Sequence, residues 1–362
     1  MAEALRVAIA GLGTVGAGTL SVLQQHGDLI AQRSGRAIQV VAVSARNRTK
    51  DRGVSLDGYD WFDDPVAMAR DADVDSVVEL IGGEDGPAKA VCEAAIAAGR
   101  HVVTANKALL AVHGNELASA AEAAGVSLNY EAAIAGGIPI VKALREGLAG
   151  NAITHVYGIL NGTCNYILTE MREKRLSFET VLEDAQKLGY AEADPTFDVE
   201  GIDAAHKLTI IASIAFGIPL QFSKAYTEGL SKLTRDDVIY AEELGFRIKQ
   251  LGVARRTREG VELRVHPTLI PDDRLIAHVN GVKNAILVQS DAVGTTMYYG
   301  AGAGAGPTAS AVVADIVDVV RALTAESAPN VPHLAFMPGA ITDTPILPME
   351  DVVTSYYLRL QA

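Results

Sequence analysis

The first 130 residues switch repeatedly between two periodicities. Runs dense in branched apolar residues (LRVAIA, IQVVAVS, DSVVELI, HVVT, VSLNYE) alternate with Ala-rich stretches whose apolar positions recur at helical spacing (VGAGTLSVLQQH, PAKAVCEAAIAAG, KALLAVHGNELASAAEAAG). Strands buried on both faces read as continuous apolar runs, so this alternation predicts βαβ units on a parallel sheet. Beyond residue 150 the pattern changes. A strand (AITHVYGI) is followed by helices at about 163–216 and 235–245. Longer segments then suit an antiparallel sheet: FRIKQLGVARR, VELRVHPTLI, GVKNAILVQSD and VGTTMYY. The glycine-rich GAGAGAGPTAS (300–310) leads into SAVVADIVDVVRAL, a helix expected over about 308–325 that returns to the first domain. The tail, 326–362, is broken by prolines and ends in SYYLRLQA, a strand-like piece that needs a partner edge.

Length and composition narrow the classes. A chain of 362 residues, 49% hydrophobic, can bury two cores. Its net charge of −13 is spread along the sequence, which disfavours nucleic acid as a partner. The longest apolar run, TIIASIAFGIPL, is too short to span a bilayer, and the N-terminus lacks a signal-peptide layout; no membrane is expected, and a cytoplasmic location is. Cys92 and Cys164 sit in a helix and at a helix entry, where small buried residues are common, so neither a disulfide framework nor a thiolate metal cage is expected.

Between the first strand and the first helix stands Gly11-Leu12-Gly13-Thr14-Val15-Gly16. In a strand–turn–helix setting this is a Rossmann dinucleotide fingerprint. Gly11 allows the tight turn, Gly13 the approach of a pyrophosphate, and Gly16 close helix packing. The helix start, with Thr14 and Val15, offers N–H donors. Where an NAD-selective site carries an acid, at the end of the second strand, this chain has Ser44, Arg46 and Arg48, which suit a 2′-phosphate. NADP is the expected cofactor, with NAD left open.

A dinucleotide implies hydride transfer, and with it a group that exchanges the proton of the reacting oxygen. Cys164 has no histidine near it in sequence, and His206 projects ~100° away from Lys207 on a helix and reads as structural. Two lysines remain. Lys107, in TANKALLA, follows HVVT at the strand's C-terminal end, where open α/β sheets place ligands, although a solvated lysine can equally open a helix. Lys207 sits in the apolar IDAAHKLTIIASIAF, where loss of water makes a lysine a readier proton donor. Asp203, four residues earlier, shares its face; the same spacing describes a surface ion pair.

Taken together, GLGTVG, TANKALLA, YEAAIAGGIPI, GILNGTCNYILTEM, LGYAEADPTFDVEGIDAAHKLTI and GAGAGPTASAVVADI resemble, in order and over about nine-tenths of the chain, the homoserine dehydrogenases. That family reduces L-aspartate 4-semialdehyde to L-homoserine with NADPH or NADH, on the route from aspartate to threonine, methionine and isoleucine. The resemblance implies that Lys207 is the proton donor, that Lys107 stands beside nicotinamide and substrate, and that Asp198 and Asp203 belong to the same site. Glu192 with Asp203 would hold the substrate's ammonium group through charge-assisted hydrogen bonds. Gly162 and Thr163 resemble backbone contacts near the substrate; Gly189, Gly302 and Gly304 resemble cofactor contacts. Asp194 and Glu200 read as surface charge.

The resemblance also implies a monovalent cation, usually sodium, held by the Glu131 carboxylate region and the carbonyls of Ile134, Gly136 and Ile138. Hard cations favour such oxygen cages. It further implies a homodimer formed through the second domain's sheet, and three regions. These are a Rossmann domain over 1–131 completed by the helix near 308–325, an α+β catalytic and dimerisation domain with a mostly antiparallel sheet over 132–307, and an extension over 326–362. Bacterial relatives often continue from a YYLRL-type strand into an ACT domain that binds threonine. This sequence stops at Ala362, so inhibition through such a domain is not expected. Two rivals stand beside this reading: a dehydrogenase for another small amino or hydroxy acid, and a cofactor sensor without turnover. The sensor would have lost its acid and lysine chemistry, yet Glu192, Asp198, Asp203 and Lys207 are all present.

Overall fold

The computed structural model describes residues 3–324 and 332–360. Six parallel strands form the first sheet: β1 (Leu5–Ala10), β2 (Ile38–Ser44), β3 (Asp60–Phe62), β4 (Ser76–Glu79), β5 (His101–Thr104) and β6 (Leu128–Asn129). Their order, β3-β2-β1-β4-β5-β6, reverses between β1 and β4, where the strand C-termini open a crevice in doubly wound folds. The crossover helices are α1 (Thr14–Ser34), α2 (Pro65–Asp71), α3 (Pro87–Ala97) and α4 (Lys107–Ala124). Along β1 the side chains alternate between two cores. Leu5, Val7 and Ile9 pack with Leu20 of α1, while Ala8 and Ala10 pack with Met68 and Val91 of α2 and α3. The sequence pattern missed β3 and α2, because DWFDDPVAMARD offers no long apolar run. Locally the helix start is nonetheless well specified: Pro65 opens α2, and Asp64 accepts the Val66 N–H at 2.8 Å.

The second sheet begins after a 3₁₀ turn at Glu131–Ala133 and a short helix, α5 (Ile140–Lys142), that continues as a π turn over Ala143–Gly147. Then follow β7 (Ile153–Ile159), α6 (Gly162–Lys174), α7 (Phe178–Lys187), α8 (Thr196–Val199), α9 (Ile202–Phe216), β8 (Tyr226–Thr227), α10 (Arg235–Glu243), β9 (Phe246–Arg256), β10 (Val261–Pro271), β11 (Lys283–Ser290), β12 (Thr295–Ala301), α11 (Ala305–Thr324) and β13 (Ile346–Leu347). The order is β12-β11-β7-β9-β10-β13. Neighbours run antiparallel except β8 and β13, which pair with β10 in parallel. The chain is thus a Rossmann-like domain joined to a second α/β domain with a mixed sheet.

Helix α9 decides where the site lies. It is apolar all round, so it is buried along its length, between the inner face of the second sheet and α4 of the first domain. Its ionisable residues, Asp203, His206 and Lys207, are carried into the interior with it.

Helix α11 returns to the first domain, as its pattern implies. Val312, Ile316 and Val319 join the core of Leu5 and Leu20, and Ala305 and Ala309 close on Gly18 of α1. It starts three residues earlier than its apolar pattern suggests, at Ala305, because Pro307 in a first turn has no N–H to satisfy and so does not delay the helix. The closing SYYLRL does not form a strand. Residues 352–360 have no regular secondary structure, and the tail pairs earlier instead, with Ile346 and Leu347 against Val261 and Glu262.

Candidate active site

Three helix starts converge on one buried carboxylate. Asp203, 4% exposed, sits in the first turn of α9, and Lys207 follows one turn later, 9% exposed. The Lys207 ammonium donates to Asp203 Oδ2 at 2.7 Å and to the Leu160 carbonyl at 2.8 Å. Lys107, the first residue of α4, brings its Nζ to 3.2 Å from Asp203 Oδ1. Asn161, the N-cap of α6, donates from Nδ2 to Asp203 Oδ2 at 2.9 Å and to Asp198 Oδ1 at 2.8 Å. Thr163 Oγ1 reaches Asp198 Oδ2 at 3.3 Å and the Tyr190 carbonyl at 2.7 Å. Lys107, Thr163, Asp198, Asp203 and Lys207 are therefore brought together, and Asp203 and Lys207 form an interior pair, not a surface one.

The two acids are pushed in opposite directions. Burial works to raise the Asp203 carboxyl, but the charges of Lys207 and Lys107, with hydrogen bonds from Lys207 and Asn161, hold it well below the usual carboxylate range. Burial and the nearby charge of Asp203 raise Asp198, against hydrogen bonds from Asn161 and Thr163. Asp203 is thus a fixed anion between two cations. Lys207 has three N–H groups and spends two on the protein, leaving one for an acceptor in the site.

His206 lies between Phe222 and Phe197, ring centroids at 4.1 and 5.5 Å. Burial and the charge of Lys107 bring its imidazole down to about 4, so it stays neutral at physiological pH. Lys107 itself lies 5.8 Å from the centroid of Phe197. The Cys164 thiol donates to the Asp198 carbonyl at 3.2 Å, and burial raises it far from a reactive thiolate. Gly162 opens α6, packed so near the Val282 carbonyl that a Cβ there would come within 2.8 Å of it. Glu192 stands exposed on the loop between α7 and α8, whose carbonyls at 192 and 193 accept from Gln186 Nε2; its carboxylate takes no part in the cluster's bonds. Asp194 binds the Thr196 N–H at 3.1 Å as a local turn.

The glycine loop fits a dinucleotide. A Cβ on Gly11 would strike the Leu80 carbonyl and one on Gly16 the Gly11 carbonyl, so the chain itself closes on both; a Cβ on Gly13 would meet nothing within 4 Å. The loop's open side is the one the fingerprint reserves for a pyrophosphate. Thr14, Arg46 and Arg48 are exposed, Val15 is half-buried, and Ser44 is buried with its carbonyl accepting the Gly11 N–H at 2.9 Å. Arg52, which the sequence reading passed over, ties the Leu12 carbonyl at 3.0 Å to the basic loop, and Arg48 and Arg52 flank Trp61. Gly189 follows α7 exposed at positive φ; Gly302, against Asn284, and Gly304, at φ 120°, form the turn before α11.

Two further residues were illegible in the sequence. Glu79, wholly buried at the end of β4, accepts from the Ile81 and Gly82 N–H groups and from the Thr104 hydroxyl at 2.6 Å. Thr104 in turn receives the N–H of Asn106, whose side chain caps α4 and so fixes where Lys107 begins. The only signal was an acid between the apolar pairs of VVELI. Asn161 had no signal beyond an Asn before a helix.

The expected cation site differs in one respect. Both Glu131 carboxylate oxygens accept backbone N–H groups at α5, Val141 at 2.9 Å and Lys142 at 2.8 Å, so this carboxylate caps a helix. Among the described residues no cluster of His, Cys, Asp and Glu is placed to hold a metal ion. The buried carbonyls of Ile134 and Gly136 receive no backbone N–H among the described residues, whereas Ile138 accepts from Ile140 at 2.8 Å. The acceptors left open at this loop are thus the main-chain carbonyls of Ile134 and Gly136.

Comparison with known proteins gives a consistent answer. Residues 11–131 match the family profile "Homoserine dehydrogenase, NAD binding domain" and residues 139–317 match "Homoserine dehydrogenase". A homoserine dehydrogenase of Pseudomonas aeruginosa is 62% identical over 360 residues, 99% of this chain and 82% of that protein. One from Neisseria gonorrhoeae is 55% identical, over 99% of this chain and 82% of its own. The crystal structure of a homoserine dehydrogenase from Thiobacillus denitrificans superposes with a TM-score of 0.93 at 60% identity, covering 97% of this chain and 81% of that one. Among the described residues no helix is long and apolar enough to cross a membrane.

Proposed function

This chain belongs to the homoserine dehydrogenase family of NAD(P)-dependent oxidoreductases, and from that premise we propose that it reduces L-aspartate 4-semialdehyde to L-homoserine, with NADPH preferred over NADH. Such a reaction serves the route to threonine, methionine and isoleucine. The observation that carries the reading is the array of half-buried Lys107 with buried Asp203 and Lys207 beside the C-terminal ends of the parallel strands.

The reduced nicotinamide, when bound, supplies a hydride to the aldehyde carbon. Lys207 gives the proton to the oxygen through the one N–H it does not spend on Leu160 and Asp203. Lys107 adds positive charge where the alkoxide develops. Asp203 holds both ammonium groups in register, and Asp198, through Asn161 and Thr163, orders the start of α6, where Gly162 and Thr163 would face substrate. The substrate's ammonium falls to Glu192 together with the remaining acceptor capacity of Asp203. Gly11, Gly13, Thr14, Val15 and Gly16 would cradle the pyrophosphate, Ser44 and Arg46 the ribose phosphate, and Gly189, Gly302 and Gly304 the nicotinamide end. We assign residues 1–131 with α11 to cofactor binding and 132–307 to catalysis and to a homodimer through the second sheet. A sodium ion on the carbonyls of Glu131, Ile134, Gly136 and Ile138 would brace the hinge, and the location would be cytoplasmic.

A single assay tests the reading. Purified protein should oxidise NADPH on addition of L-aspartate 4-semialdehyde and form homoserine. Faster turnover with a different amino or hydroxy aldehyde would replace the substrate assignment, and no turnover with any would return the chain to the class of cofactor sensors.

A further inference from the structure

The Asn161 side chain makes three hydrogen bonds, which use both amide hydrogens and one lone pair of the oxygen. Oδ1 accepts the Cys164 N–H at 2.9 Å, capping α6, while the two Nδ2 hydrogens go to Asp198 Oδ1 at 2.8 Å and Asp203 Oδ2 at 2.9 Å. The side chain is 6% exposed, and its orientation is forced: turned over, it would set its oxygen against two carboxylates and its NH₂ against an N–H. Three elements meet on this one residue: the start of α6, the short α8 that carries Asp198, and α9 that carries Asp203 and Lys207.

We propose that Asn161 is a positioning residue for proton transfer: by bridging Asp198 and Asp203 it fixes the Asp203 oxygen that orients the Lys207 ammonium. Asp203 Oδ2 receives both Asn161 Nδ2 and Lys207 Nζ, so the amide determines which way that oxygen's remaining lone pair points, and hence where the lysine sits. The bridge also separates the charges. Without a donor between them the two carboxylates would face each other across a buried gap, and one would take up a proton. An asparagine does this where an acid or a hydroxyl cannot, since only an amide offers two donors and one acceptor in one plane. The inference rests on the proposed reduction and deepens it.

The test exploits a chemical coincidence. Asn, Asp and Ser are about equally good helix N-caps, so Asn161→Ser keeps the cap and removes the bridge, while Asn161→Asp keeps the cap and replaces the bridge with a charge. Ser177→Ala, at the N-cap of α7, removes a cap and no bridge and serves as the comparison for simple loss of stability. Steady-state kinetics of the full chain with NADPH and aspartate semialdehyde should show kcat falling ~10- to 100-fold in Asn161→Ser, with KM for NADPH within about twofold of the parent. In Asn161→Asp a third carboxylate joins the pair, and a new ionisation should enter the pH profile of kcat in the neutral range. Ser177→Ala should keep the parent's kcat. If both Asn161 variants keep the parent's kcat and pH profile, Asn161 is only a cap and the proposal fails. If kcat instead falls to the same degree in Ser177→Ala, the loss reflects destabilisation and the proposal also fails. A parent protein that does not reduce aspartate semialdehyde overturns the function and leaves this bridge to be read on whatever substrate is turned over.

Discussion

Lys107 and Asp203 form an ion pair between the two domains, Nζ to Oδ1 at 3.2 Å, with the lysine opening a helix of the first sheet and the acid opening a helix buried under the second. The domain that would hold the cofactor and the domain that would hold the proton donor are thus tied through one carboxylate, whose other oxygen binds Lys207.

The two lysines should therefore fail differently. Lys207→Ala removes the proposed proton donor and is expected to lower kcat by ~10²–10⁴ with NADPH binding kept. Lys107→Met removes the charge proposed to stand beside the developing alkoxide and should cost ~10²–10³ in kcat. Near-parental turnover in Lys207→Ala, measured by NADPH oxidation, would sink the assignment.

Asp203→Asn should change how stability depends on acid. The Asp203 carboxyl is held below its unfolded value of about 3.9, so its contribution is present above that pH and is lost as pH falls through the lower folded value. Urea midpoints should show the parent losing more stability than Asp203→Asn on going from pH ~5 to pH ~3. At neutral pH the variant should be the weaker protein, because two buried or half-buried ammonium groups lose their anion.

His206 gives a second window. Its folded value is about 4 against an unfolded value of about 6.5, so the unfolded chain takes up the proton first and stability falls as pH drops from ~6.5 toward ~4. His206→Leu should flatten that part of the stability curve. An imidazole titrating near 6.5 by NMR in the folded parent would contradict the lowering by burial and by Lys107.

The glycine loop separates folding from cofactor binding. Gly13→Ala adds a methyl into open space and should leave Tm unchanged while raising KM for NADPH by ~10-fold or more, equal to about 1.4 kcal/mol. Gly16→Ala drives a methyl into the Gly11 carbonyl and should lower Tm. Thermal melts with and without NADPH distinguish the two.

Local pattern made much of this legible. The alternation of apolar runs and helical stretches carried the parallel sheet, and GLGTVG carried the turn. The spacing of Asp203 and Lys207 put them on one face, but whether that face was wet depended on what packed around α9, which only the assembled sheets decide. Lys107 meets Asp203 across the fold, beyond any periodicity. Glu79 and Asn161 were invisible for the same reason: each is a single polar residue whose partners come from other elements. The tail misled because YYLRL has strand composition, yet Tyr356, Leu358 and Leu360 lie exposed and the pairing with β10 went to Ile346 and Leu347.

The return of α11 to the first sheet has a consequence for biosynthesis. Leu5, Ile9 and Leu20 are covered by Val312, Ile316 and Val319, which a ribosome makes only after strands β7 to β12 of the second sheet. Domains commonly complete themselves in N- to C-terminal order as they emerge. Here the first domain cannot close until most of the second has been translated, and a nascent chain halted before residue 305 would display that apolar face to chaperones and proteases.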